Sequence, residues 1–125
     1  MDRLFAGLDI SPQSAKLVLL NWVSGSVLYE DSLSYDLDLS HYGTKNGLIP
    51  NKDKSVSESD PKMWIEAVDI LFQRSKDKSI PLDQIKSISV SGQQHGLVSL
   101  DKGGHLSRPL SKLWNDFSTQ KECDL

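Results

Sequence analysis

Three short clusters in this sequence carry side chains that could do chemistry. Asp9 closes the apolar run Leu4-Phe5-Ala6-Gly7-Leu8 and is followed by Ser11-Pro12-Gln13-Ser14 and then Lys16. A carboxylate at the tip of a buried strand can hold a hydrated Mg²⁺, and the backbone amides of the next turn can face phosphate. A lysine in the following strand can add a point charge for the same phosphate. Ser91-Gly92-Gln93-Gln94-His95-Gly96 sets two amides and an imidazole between two glycines. None of the three carries a fixed charge, so they suit a neutral, polyhydroxylated ligand better than an anion. Trp114-Asn115-Asp116 puts a flat ring beside two polar groups, a combination suited to gripping a sugar. Each cluster also has a plainer reading: Asp9 as a turn cap with Lys16 solvated, the glycines as hairpin turns, and Trp114 as core.

These clusters need elements that bring strand ends together. Leu4–Ile10 reads as a buried strand, Ala15–Trp22 as a second, and Val27 opens a third. Turns at 11–14 and 24–26 join them into an antiparallel meander. Residues 36–59 hold many charged and turn-forming residues and few apolar anchors, which predicts a long lid or surface loop. His41 has no visible metal partners there and reads as a surface histidine. Asp60 as N-cap and Pro61 at the first helical position then open a helix. Met63, Trp64, Ala67, Val68, Leu71 and Phe72 give it one broad apolar face, and it fades over 75–79 ahead of Pro81. Ile88 and Val90 alternate with serines, the period of a half-buried strand that ends at the Gln93-Gln94-His95 loop. Leu97–Leu100 is a second apolar run, Asp101–Gly104 a hairpin turn, and 105–111 the return. Strand–strand–strand–helix–strand is an α/β arrangement, and it places the glutamine–histidine loop where such domains meet ligands.

Composition narrows the class. A chain of 125 residues holds one modest core or part of a larger one. The net charge of -3 argues against nucleic acid as a partner, because that binding needs clustered positive charge. No apolar run approaches a membrane span, and the start at Met1-Asp2-Arg3-Leu4 lacks the core of a signal peptide. The single Cys123 fits a reducing cytoplasm. Its neighbours Glu122 and Asp124 disfavour a thiolate, which makes it a poor nucleophile. A hydrolase built on Ser91 or Ser99 with His95 is disfavoured too: no Gly-x-Ser-x-Gly elbow is present, and Ser91 shares one short loop with His95. Thr119-Gln120-Lys121-Glu122 has the spacing of a capping box, yet barely a turn follows before Leu125. A helix nucleus without propagation is not worth forming alone, so the expectation is a natural polypeptide that continues.

In order and spacing, Asp9-x-x-x-x-Ser14-x-Lys16, Ser91-Gly92-Gln93-Gln94-His95-Gly96 and Trp114-Asn115-Asp116 resemble the N-terminal half of FGGY-type carbohydrate kinases. The Gln93-Gln94-His95-Gly96 variant with Trp114-x-Asp116-x-Ser118-Thr119 is most similar to the eukaryotic-type xylulokinase branch. Tyr35–Leu71, with His41-Tyr42-x-Thr44-x-x-Gly47 and Met63-Trp64-x-x-Ala67, resembles that branch as well. The resemblance implies a ribonuclease H-like, actin-like ATPase fold, with residues 1–125 as the first part of its first domain. It implies ATP-dependent phosphorylation of the 5-hydroxyl of D-xylulose. By position, Asp9 would lie near Mg²⁺, Ser14 and Lys16 near the terminal phosphates of ATP, Gln94 and His95 on the ketose hydroxyls, and Trp114 and Asp116 in the wall around the sugar. The base, an aspartate well downstream, and most of the nucleotide site would fall outside this chain, which would then be inert alone.

Two positions depart from the family pattern. Ser11-Pro12 stands where Gly-Thr is common, and Pro12 has neither an amide proton nor a hydroxyl to offer phosphate. That keeps a non-catalytic sugar-binding module open as the alternative. Ser118 stands where many bacterial relatives carry arginine, in keeping with the eukaryotic-like branch. A sheet interrupted here would leave an unpaired edge and an uncovered apolar face, so self-association as a homo-oligomer is expected.

Overall fold

The computed structural model describes residues 3–125; Met1 and Asp2, read above as part of a start without a leader, lie outside the described residues. Strand β1 (Leu4–Ile10), β2 (Ser14–Asn21) and β3 (Ser26–Ser34) form the predicted meander. The turn between β1 and β2 closes through the Ser11 amide, which donates to the Ser14 carbonyl at 2.9 Å. Period-2 alternation puts Leu4, Ala6 and Leu8 of β1 and Ala15, Leu17 and Leu19 of β2 on one buried face. Helix α2 (Pro61–Asp77) covers that face, burying Met63, Ala67 and Leu71 against β2 and β3. Asp60 caps it as expected, its carboxylate accepting from the Lys62 amide at 2.9 Å.

Strand β5 (Ile85–Gly92) returns parallel to β1, giving the sheet order β3-β2-β1-β5. The predicted half-burial of this strand is not what the fold delivers. Ile88 and Val90 pair with Ala6 and Leu8 and share their face, yet they are 51% and 65% exposed. The reason is placement: α2 packs over β2 and β3, so β5 has β1 on one side and no cover above. The uncovered edge anticipated from the sequence is therefore present among the described residues.

The 36–59 connection is a second departure, because it is not an open loop. Tyr35 and Leu39, at either end of the short helix α1 (Tyr35–Asp38), enter the core at 0% and 1% exposure. A 3₁₀ turn (Ser40–Tyr42) and strand β4 (Glu58–Ser59) follow, and β4 pairs with β6 (Ser111–Lys112). The Asp36 carboxylate accepts from Thr44 Oγ1, the Asn46 amide and the Gly47 amide at 2.7, 2.6 and 3.0 Å, closing the turn between α1 and β4. Short-range polar bonds like these leave no hydrophobic period to read, which is why the segment looked structureless. Asp101–Gly104 makes the predicted hairpin turn, whereas Leu97–Leu100 stays largely exposed and joins its neighbours only by isolated bridges. Thr119 precedes the single-turn helix α3 (Gln120–Cys123) without the expected side-chain cap.

Gly47 fixes how this connection sits on the first turn. Its φ is +76°, and a Cβ added there would lie 1.8 Å from the Pro12 carbonyl oxygen. The expected cost of Gly47→Ala is at least about 1–3 kcal/mol from backbone strain, before the clash is counted. Gly7→Ala, with open space around it, should be near neutral. Urea denaturation of both variants checks this; equal stabilities would be the contrary result.

Candidate functional site

The parallel pairing of β1 with β5 brings the two loop-bearing strand ends together. Asp9 lies opposite Ser91 and Ile10 opposite Gly92, and the Gln93 amide donates to the Ile10 carbonyl at 3.3 Å. Asp9 and the Gln94-His95 loop thus leave the sheet at the carboxyl ends of neighbouring parallel strands, where open α/β sheets bind ligands. Asp9 shares a face with Lys16 and Ser91, away from α2. Its carboxylate is exposed, and no described residue hydrogen-bonds to it. Gln94 and His95 are likewise exposed and uncommitted, and His95 takes a left-handed φ of 59° that turns the chain sharply before Gly96.

The turn after Asp9 is held from below by Tyr35, whose hydroxyl donates to the Ser11 carbonyl at 3.1 Å and whose amide donates to Gln13 at the same distance. Burial pushes the Tyr35 phenol up, and the nearby Asp9 carboxylate pushes it further, so it stays a donor across the ordinary pH range. The phosphate donors expected here are mostly spent within the protein. Ser11 and Ser14 hydroxyls bond each other at 2.9 Å, and the Ser14 amide donates to Ser11 Oγ. Lys16 Nζ pairs with Glu30 of the neighbouring strand β3 at 2.6 Å. With Pro12 lacking an amide proton, Gln13 holds the one uncommitted amide of the turn.

Trp114 comes close to this turn. It is 58% exposed and, with Asn115 and Leu113, lines a cavity of about 200 Å³ whose opposite wall is Pro12, Gln13, Asn46 and Leu48. That is below the roughly 300–1,000 Å³ of sites for drug-sized ligands, so it suits a small solute. A larger cleft, about 410 Å³, lies on the β3 edge, lined by Tyr29, Glu30, Asp31, Arg74, Asp77 and Lys78. Its charges are mostly paired: Arg74 faces Asp31 and Asp38.

Asp116 takes a different place from the other predicted wall residue. Its side chain is 3% exposed. It accepts from the Ser57 amide at 2.8 Å, the Ser118 amide at 3.0 Å, Ser118 Oγ at 2.6 Å and Lys112 Nζ at 3.2 and 3.3 Å. Burial opposes its ionisation, but the Ser118 hydroxyl, the two amides and Lys112 outweigh it and hold the carboxyl at about 2. Lys112 also reaches Glu58 Oε1 at 3.3 Å, and Arg108 donates to the same oxygen. The Arg108 bond, against the cost of burial and with help from Lys112, lowers the Glu58 pKa.

Residues 4–125 match the N-terminal domain of the FGGY family of carbohydrate kinases. The chain belongs to that family. The FGGY chain is 31% identical to a xylulose kinase of Mus musculus over 140 aligned residues and 35% identical to one of Schizosaccharomyces pombe over 139. Both alignments take in 97% of this chain, and 25% and 24% of those proteins respectively, so it spans about a quarter of the length of the curated relatives it matches. Among solved structures it superposes on a gluconate kinase from Lactobacillus acidophilus with a TM-score of 0.74 at 25% identity, covering 99% of this chain and 22% of that one. A ligand-bound xylulose kinase from the same species gives 0.72 at 25% identity, over 98% of this chain and 22% of that one. The fold is the mixed α/β, actin-like ATPase type that the resemblance implied. No helix among the described residues is long and apolar enough to cross a membrane.

Within this FGGY chain, the predicted residues fall into two groups. Asp9, Gln94, His95 and Trp114 present uncommitted side chains near adjoining loops, whereas Ser14, Lys16 and Asp116 are bonded inside the protein. Sequence reasoning missed Lys112, Glu58 and Arg108; the spacing of Lys112 and Asp116 at i,i+4 was the available signal. The Asp116 environment has a measurable consequence. Its lowered folded pKa means the stabilisation is full above the unfolded value and vanishes as pH falls through about 2. The stability lost in Asp116→Asn should reach the order of 2 kcal/mol near neutrality. It should shrink below about pH 4, the ordinary carboxylate range. Chemical denaturation of both proteins across pH checks this, and a pH-independent difference would contradict it.

Proposed function

We propose that this chain is the N-terminal part of the first domain of an ATP-dependent sugar kinase, acting in the cytoplasm, that transfers phosphate to the 5-hydroxyl of D-xylulose. The observation that carries the reading is the meeting of uncommitted Asp9 with the Gln94-His95 loop at the carboxyl ends of two parallel neighbours. The xylulose kinases at 31% and 35% identity support the choice of ketose. Gln94 and His95 would bind ketose hydroxyls as donors and acceptors, and Trp114 would offer its ring as one wall of the site, with Asp116 behind it. The free Asp9 carboxylate fits Mg²⁺, a hard cation that keeps several waters and needs only one or two protein carboxylates beside substrate phosphates. Bound with ATP, Mg²⁺ neutralises charge that develops on the phosphate oxygens. Ser14, Lys16 and the Gln13 amide are the residues of this chain nearest in role to those phosphates. No residue of this chain is assigned as the base.

The spent donors of the first turn favour a second reading, a non-catalytic sugar-binding or interaction module on the same fold. An aspartate at the family's base position in the complete gene product would decide for the enzyme. Two outcomes test the first reading. In the complete gene product, His95→Ala should raise KM for D-xylulose far more than KM for ATP; equal effects would count against the assignment. Residues 1–125 alone should release no ADP in response to xylulose above a blank, since a missing general base alone costs about 10²–10⁴-fold. The bare β5 edge is also expected to drive this chain into homo-oligomers, and a monomer by light scattering would refute that.

A further inference from the structure

Lys112 is bonded to both halves of the sugar site at once. Its carbonyl accepts from the Leu97 amide at 2.9 Å, anchoring the far end of the loop that carries Gln94 and His95. Its ammonium donates to Ser118 Oγ at 2.7 Å and pairs with Asp116 at 3.2 Å, closing the turn that carries Trp114 and Asn115. On its other side it reaches Glu58 of β4, so the four charges of Glu58, Arg108, Lys112 and Asp116 balance. A carboxylate offers about four lone-pair sites, and those of Asp116 are taken by two amides, a hydroxyl and an ammonium. A sugar hydroxyl reaching Asp116 would have to displace one of these buried or half-buried partners, and breaking a charge-assisted bond costs more than a neutral hydrogen bond gains.

We propose that Lys112 and Asp116 are positioning residues that lock the Trp114 wall to the Gln94-His95 loop, and that neither touches the sugar. The identity of the ligand rests on the reading above; the lock does not. Removing the lysine charge would leave Asp116 without its cation and Glu58 with Arg108 alone, which would loosen the turn and let the Lys112 carbonyl that holds the loop shift with it.

The test uses the complete gene product labelled with 5-fluorotryptophan, the Trp114 resonance being assigned with Trp114→Phe. Lys112→Met should shift or broaden the Trp114 ¹⁹F signal and raise KM for D-xylulose about ten- to a hundredfold, the scale of a small misplacement. KM for ATP should stay within about twofold, a split that general destabilisation would not produce. Lys112→Arg should restore both readouts. Should Lys112→Met fail to fold, Ser118→Ala removes the two hydroxyl bonds, to Lys112 and to Asp116, while leaving their ion pair, and its smaller shift of the same signal serves instead. Adding Asp116→Asn to Lys112→Met should cost little more, because the two residues act as one unit. An unmoved Trp114 signal in a folded variant overturns the proposal, as do losses that multiply in the double variant. If the signal moves and Lys112→Arg restores it while no ketose saturates the wild type, the lock stands and the substrate reading falls.

Discussion

The parallel ladder between β1 and β5 is the constraint on which the site depends. The two strands are separated in sequence by the whole of β2, β3, the 35–59 connection and α2, yet they finish level with each other. Levelling is imposed by register, Ile10 opposite Gly92, and that register is set by apolar residues of both strands facing one side. A slip of one residue would turn Leu8 outward and Asp9 into the core, where an unpaired carboxylate is costly. Burial of Leu4, Ala6 and Leu8 on the core face therefore fixes which way Asp9 points.

Around that ladder the polar side chains divide by whether the protein has already used them. Groups that steady the loops are saturated: Tyr35 on the first turn, Asp36 on the 44–47 turn, Asp116 and Lys112 on the Trp114 turn. Groups left open are the ones a ligand would meet. The division gives the site rigidity without large apolar bulk, since each exposed functional loop is stapled by a buried or half-buried polar residue one step behind it.

Much of this was legible in the chain itself. Alternation in Leu4–Ile10 and 15–22, the Asp60-Pro61 helix start and the glutamine–histidine loop at a strand end are local patterns, and local patterns survive into the fold. What escaped notice depended on distance. Asp116 reads alike whether it faces solvent or is caged, because its partners Ser57 and Ser118 are recruited from both directions along the chain. Nothing around Lys16 in the sequence announces that β3 will set Glu30 beside it. The exposure of Ile88 and Val90 follows from where α2 lies, which no pattern within β5 encodes.

The abutment of Gly47 on Pro12 makes the two positions unequal under sequence drift. The contact reaches position 12 through its backbone carbonyl, so it is blind to which side chain that residue carries. A turn that bears Gly-Thr in many kinases can bear Ser-Pro here without disturbing the strap above it. Position 47 has no such latitude, because any side chain would start inside the carbonyl. Variation in the first turn can accumulate for reasons of phosphate chemistry alone, while the residue that pins that turn stays glycine.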